Sequence, residues 1–316
     1  MFKILSLDGG GIKGVFEAAF LATVQETVTL PLASYFDLIA GTSTGGIIAL
    51  GLGLGVTPEQ LLTFYRLHGP IIFQRSGTPL SRWTYWLIDK VRHRYSSDHL
   101  RTALQTTFKD KKIGDSTCRL IIPAFNLSAG EIHVYKTRHH PRLQTDFNVN
   151  AVDVALATSA APTYFPIHRS AQQMLLIDGG IWANNPTGLA VVEALTLLDV
   201  PRQEVEVLSI GCTQEVSDFT VGGSGELQWA RRALECALLG QSFASMGTAA
   251  MFLGHEKILR ISPAVSKGRF SLDSAKGIGQ LEALGRFEAR KALPELSRRF
   301  LGSPAPLFVP CNHQAS

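Results

Sequence analysis

Residues 35–54 read YFDLIAGTSTGGIIALGLGL. The first six, YFDLIA, predict a strand, and Ile47 to Leu54 predict a buried helix despite its glycines. Between them lies Gly41-Thr42-Ser43-Thr44-Gly45, which fits G-x-S-x-G. A serine on a tight strand-to-helix turn is held in a strained backbone conformation, and small flanking residues let the helix pack close. Its hydroxyl then stands in a cleft at the positive end of the following helix, where an anion is stabilised. Ser43 is therefore the candidate nucleophile, with Gly41 and Gly45 shaping its turn. The bland alternative is a glycine-rich strand-to-helix connection. The elements on either side favour the nucleophile.

Upstream, residues 2–7 predict a buried strand that runs into Asp8 and three glycines. Ile12, Val15, Phe16, Ala19, Phe20 and Val24 then follow at helical spacing. Downstream, Thr57-Pro58-Glu59-Gln60 has the form of a capped helix start. The first 70 residues thus alternate strand and helix twice, which predicts an α/β fold with a parallel sheet. Gly9-Gly10-Gly11-Ile12-Lys13-Gly14 also matches G-x-G-x-x-G after a strand. That motif suits either a dinucleotide or an oxyanion. Dinucleotide binding expects an acid after the second strand. Gly41-Thr42-Ser43 takes that place here, and Asp37 falls too early, so the amides of Gly9, Gly10 and Gly11 are the candidate oxyanion donors.

Farther along, 118–127 and 132–136 predict strands joined by a turn at Ser128-Ala129-Gly130. Residues 150–160 predict a helix capped by Asn150, and Met174 to Ile177 a short strand ending at Asp178-Gly179-Gly180. A helix from Asn185-Pro186, a strand at 204–210, helix over most of 226–253, a strand at 257–261 and a helix at 279–301 complete the pattern. Without repeat, low-complexity tract or clear linker, 1–316 reads as a single domain. Its motifs occupy about 4–200, and a helical extension covers about 225–305. Asp178 is the candidate base, since a strand-end carboxylate beside flexible glycines can reach a nucleophile on another loop. An aspartate with an ordinary pKa is a poor base at pH 7, so that role requires burial or apolar walls around the carboxylate. The bland reading of Asp178-Gly179-Gly180 and of Asp8 is a turn aspartate.

Composition narrows the classes. Of 316 residues, 45% are hydrophobic and 18% charged, which argues against disorder and coiled coil. The formal charge of +4 is too weak to imply a nucleic-acid polymer as partner. Cys118, Cys212, Cys236 and Cys311 are widely spaced, so reduced thiols are expected rather than disulfides or a cysteine zinc site. No metal and no cofactor are expected. The longest apolar run, Ile47 to Val56, is too short to cross a bilayer, and the start of the chain lacks a signal-peptide pattern. Membrane contact is expected to be peripheral, from a cytoplasmic location. Residues 66–101 carry seven Lys/Arg around Trp83, Tyr85 and Trp86, which suits an anionic bilayer as well as a solvated face. His139-His140, in RHHPR, is expected to be solvated. The order Ser43, Asp178, His255 also permits a triad, although His255 precedes a predicted strand rather than following one.

Four stretches taken together, SLDGGGIKG, GTSTGG, ATSAAPTYFP (157–166) and DGGIWANNP (178–186), resemble the patatin-like phospholipases. They span residues 4 to 186 in family order. The resemblance implies a three-layer α/β/α fold around a mostly parallel sheet. It implies hydrolysis of phospholipids and other lipid acyl esters through an acyl-enzyme. It implies a Ser43–Asp178 dyad in place of a triad, with Gly9, Gly10 and Gly11 as the oxyanion loop and Gly14, Gly41, Gly45, Gly179 and Gly180 as motif glycines. The dyad so implied places Asp178 in a partly dehydrated cleft. Short bacterial relatives include anti-phage effectors switched on by a cyclic nucleotide. On that likeness the partners are a lipid ester, the inner face of the membrane and a cyclic di- or trinucleotide activator. An ungated housekeeping lipase has the same features. A reading from a different class is a non-catalytic nucleotide-binding or scaffold protein on a Rossmann-like sheet.

Overall fold

A computed structural model of the chain describes residues 1–74, 94–215 and 226–311. The N-terminal half runs β1 (Phe2–Leu7), α1 (Gly14–Gln25), β2 (Leu38–Gly41), α2 (Thr44–Gly53), α3 (Pro58–Ile72) and α4 (Asp98–Phe108). Then come β3 (Arg119–Asn126), β4 (Glu131–Lys136), α5 (Ala151–Thr158), β5 (His168–Arg169), β6 (Leu175–Asp178), α6 (Gly180–Ala183) and α7 (Thr187–Thr196). The chain closes with β7 (Val205–Ile210), β8 (Gln214–Glu215), α8 (Glu226–Leu253), β9 (Ile258–Ile261), β10 (Ala264–Val265) and α9 (Ile278–Leu296). Two helix starts carry the caps expected of them. Thr57 Oγ1 accepts from Gln60 N at 3.2 Å while Gln60 Oε1 accepts from Thr57 N at 2.9 Å, and Asn150 Oδ1 accepts from Val152 N at 2.8 Å.

Five strands lie parallel in the order β3-β2-β1-β7-β9, and β4, β5 and β6 add antiparallel pairs at the β3 side. The strands are buried on both faces, and alternate residues divide between two layers. Leu5, Leu7, Ile39, Leu120, Ile122 and Leu208 join the core shared with α1 to α5 and α9. Ile4, Leu38, Ala40, Ile121, Val205 and Val207 join the core under α7 and α8. The result is a three-layer α/β/α arrangement with a central, mostly parallel sheet. The region after 200 is more than a helical extension. It supplies β9 to the sheet, and α9 packs along α1.

The strand ending at Asp178 runs antiparallel to β3, within a sheet that is mostly parallel as expected. Two expectations need correction. His139 is buried rather than solvated, with Nε2 2.9 Å from Glu193 Oε1, and Glu193 also meets Lys136 Nζ at 2.7 Å. The 18 residues Cys236–Leu253 of α8 form a helix long and apolar enough to cross a membrane, with only 11% of that stretch buried. A search for unbroken apolar runs misses it, because glycine, serine, threonine and glutamine interrupt the pattern.

The turn after β2 depends on close packing at Gly45. A Cβ there would run into the carbonyl oxygens of Leu7 and Asp8 at the end of β1. Backbone cannot yield as a side-chain tip does. Gly45→Ala is expected to cost about 1–3 kcal/mol in urea unfolding, read as a lower midpoint at unchanged slope.

Candidate active site

Register places the site. On one edge of β3, Ala40 of β2 pairs with Ile121 and Asp178 of β6 pairs with Ala124, while β4 takes the other edge throughout. Three residues of strand span about 10 Å. The turn Gly41-Thr42-Ser43 fills that gap, so β2 and β6 approach each other end to end. Ser43 stands there at φ 54° and ψ −120°, a left-handed conformation that costs a non-glycine residue about 1–3 kcal/mol. Its Oγ donates to Asp178 Oδ2 at 2.7 Å.

Residues 158–160 support both partners. Ser43 N donates to Thr158 Oγ1 at 3.0 Å, and Thr158 Oγ1 donates to the Pro123 carbonyl at 2.6 Å. Asp178 N donates to the Ala160 carbonyl at 3.0 Å. The other carboxylate oxygen, Oδ1, accepts from Gly180 N at 2.7 Å. Asp178 is only 5% exposed. Burial pushes its pKa up to about 6, against the pull of the Ser43 hydroxyl and the Gly180 amide. The group remains mostly ionised at pH 7 and is a stronger base than a solvated aspartate.

The glycine loop faces this pair. Among its three expected donors, Gly9 is a correction: its N–H donates to the Asn184 carbonyl at 2.9 Å and is spent. The N–H groups of Gly10 and Gly11 have no partner among the described residues, and both glycines line the crevice. Gly11 has φ +58°, which favours glycine, and the Leu272 backbone closes over it. Ile12 N donates to that Leu272 carbonyl at 2.9 Å.

A buried charged layer backs the loop. Arg260 reaches from β9 to grip Asp8 with two hydrogen bonds, 2.8 Å to Oδ1 and 2.5 Å to Oδ2, and also donates to Ser209 Oγ at 2.7 Å. Glu17 is fully buried and accepts from Asp8 N at 3.1 Å. Burial, then the Asp8 charge, holds the Glu17 carboxyl well above the usual range. Asp8 therefore orients the glycine loop from behind and does not face the crevice.

The crevice encloses about 210 Å³. Ser43, Asp178 and the loop glycines sit at one wall; Ile47, Phe64, Phe73, Phe165 and Leu238 make much of the rest. No histidine lines it among the described residues. His255 lies just before β9, at the opposite end of the parallel strands from Ser43, so the triad alternative is not assembled. Trp83, Tyr85 and Trp86 lie outside the described residues. Of the cations expected on the basic face, Arg66 pairs with Glu59 and Glu282, and Arg94 with Asp273.

Sequence reasoning missed three supporting groups. Thr158 lies inside ATSAAPTYFP, and Asn184, whose carbonyl takes the Gly9 N–H, inside DGGIWANNP, where no adjacent residue signals either contact. Arg260, far along the chain in a short strand, carries no local signal.

A family model described as patatin-like phospholipase matches residues 5–191. A cGAMP-activated phospholipase from Pseudomonas aeruginosa is 33% identical over 326 residues, covering 99% of this chain and 93% of that one. Another cGAMP-activated phospholipase, from Vibrio cholerae, is 34% identical over 233 residues, 67% of this chain and 64% of that one. Among solved structures, VipD from Legionella pneumophila aligns over 93% of this chain and 67% of that one, with TM-score 0.47 and 14% identity. The chain belongs to the patatin-like phospholipase family.

Proposed function

We propose that the protein is a lipid acyl hydrolase that works through a Ser43–Asp178 dyad and is activated by a cyclic dinucleotide. The observation that carries the chemistry is the 2.7 Å hydrogen bond from Ser43 Oγ to a buried carboxylate at the wall of an apolar crevice. Ser43 Oγ attacks the ester carbonyl carbon while Asp178 takes the hydroxyl proton. The Gly10 and Gly11 amides receive the oxyanion. Collapse of the tetrahedral intermediate expels the alcohol, which takes its proton from Asp178, and leaves Ser43 acylated. Asp178 then deprotonates a water that attacks the acyl carbon, and the fatty acid leaves. The apolar walls suit an acyl chain and keep bulk water from the pair.

Activation by a cyclic nucleotide, and with it a part in antiviral defence, is supported by the two cGAMP-activated relatives. Membrane docking is supported by α8. Leu238 of that helix lines the crevice, and Phe243, Met251 and Phe252 are exposed farther along. Gln241, Ser242 and Ser245 of α8 hydrogen-bond Asn185 or Gly188, which ties the helix to the domain. We place it along the inner leaflet rather than across it, with the protein cytoplasmic. The nucleotide-scaffold alternative needs room over the glycine loop for a pyrophosphate. Asn184 stands against Gly9 and the Leu272 backbone against Gly11, which leaves little.

Three variants test the dyad against phosphatidylglycerol vesicles. Ser43→Ala is expected to abolish hydrolysis and fluorophosphonate labelling, and Asp178→Asn to lower kcat by about 10²–10⁴-fold with the fold intact by circular dichroism. His255→Ala is expected to retain kcat within about twofold; a loss matching that of Asp178→Asn would restore the triad. The pH profile is a separate check. Asp178 acts as base only when ionised, so kcat/KM is expected to fall as pH drops through about 6 and to level off above about 7. A profile flat down to pH 4.5 would contradict this.

A further inference from the structure

Beside the crevice lies a second cavity of about 140 Å³, several times the ~30 Å³ share of one water in the liquid. Leu100, Ser159 and Phe165 belong to the walls of both. The chemistry of the two differs. Where the crevice is apolar, the second cavity presents Ser97, Arg101, His168 and Arg169. The Arg101 side chain makes no hydrogen bond or close ion pair among the described residues, although its charge helps to lower the Asp153 pKa. Arg169 spends one nitrogen on Gln173 Oε1, at 3.2 Å. His168 is only 6% exposed, and its buried Nε2 has no hydrogen-bond partner among the described residues. Its one carboxylate contact among the described residues is a long ion-pair approach to Asp153 Oδ1 at 3.4 Å, which holds the Asp153 carboxyl below the usual range.

Two arginines and a buried histidine therefore line one space, with Asp153 as the carboxylate paired to that histidine. Guanidinium forks match the oxygens of a phosphate in geometry and charge. The cavity also touches Ser159 and Ala160. These continue from Thr158, which holds the Ser43 amide, and the Ala160 carbonyl holds the Asp178 amide. A ligand here bears on the segment that supports both members of the dyad. We propose that this second cavity binds a phosphodiester and that its occupancy sets the position of residues 158–160 behind Ser43 and Asp178. The link to turnover rests on the hydrolase reading above; the binding does not.

A cyclic dinucleotide and a phospholipid headgroup both carry the group, and two arms separate them. The full chain, its Arg101→Ala/Arg169→Ala variant and an Arg101→Lys control are titrated with cGAMP by calorimetry. The same proteins are assayed on phosphatidylglycerol and on an uncharged diacylglycerol. Fluorophosphonate labelling of Ser43 confirms a formed crevice in each. If the site takes the activator, the double variant weakens cGAMP binding at least about tenfold. The ratio of activity with and without cGAMP then falls toward one, and Arg101→Lys keeps part of both. If it takes the headgroup, KM rises about tenfold for phosphatidylglycerol alone and cGAMP binding is unchanged. A labelled double variant that matches wild type in cGAMP affinity and in both KM values overturns the proposal. Wild-type protein that hydrolyses neither lipid fails the hydrolase reading instead, and calorimetry still decides the binding site.

Discussion

Everything at the site follows from one shared strand edge. β2 stops at Gly41, and β6 comes back along β3 from the other direction to end at Asp178. The free stretch between them can hold one tight turn, and Ser43 is its tip. A longer β2 would bury the serine in the ladder. A β6 shifted by one residue would turn the carboxylate to the opposite face of the sheet, because side chains alternate. The contact between two residues 135 positions apart is thus set by strand lengths and register rather than by loop geometry. This makes the strain at Ser43 tolerable: ladder bonds, the Thr158 hydroxyl and the packing of Gly45 on β1 all hold it in place.

Electrostatics divide into two zones. In front, Asp178 is buried with no cation beside it among the described residues, so burial dominates and its proton affinity rises. Behind the glycine loop, Asp8 is buried too, but Arg260 offsets part of the cost with two hydrogen bonds. Two aspartates at strand ends, both deeply buried, therefore take different parts. Burial raises the pKa of both, and what differs is the partner: Asp178 meets the Ser43 hydroxyl, whereas Asp8 meets the Arg260 guanidinium, which pulls its pKa back only in part behind the glycine loop.

Much of this was legible in the residues. Apolar runs bounded by glycines marked β1, β2 and α2, and the caps at Thr57 and Asn150 marked two helix starts correctly. Ser43 stands out by its G-x-S-x-G turn between strand and helix, whereas Asp178-Gly179-Gly180 alone reads as a turn and gains its role from the four family stretches together. The rest depended on partners distant in sequence. The antiparallel return of β6 could not be read, since a four-residue apolar strand looks the same in either direction. The loss of the Gly9 donor comes from Asn184, 175 residues on. His139 looked solvated in RHHPR because its partner, Glu193, sits on another element. Arg260 and the cations of the second cavity occupy short or irregular segments whose periodicity says nothing about what they face.

The most direct measurement is a crystal structure of the protein after reaction with a long-chain alkyl phosphonate ester. The account predicts a phosphorus–oxygen bond to Ser43 Oγ, a phosphoryl oxygen about 2.7–3.1 Å from the Gly10 and Gly11 amide nitrogens, and the alkyl chain along Phe64, Phe73 and Phe165. A phosphoryl oxygen turned to solvent, or an adduct on any other residue, would contradict it.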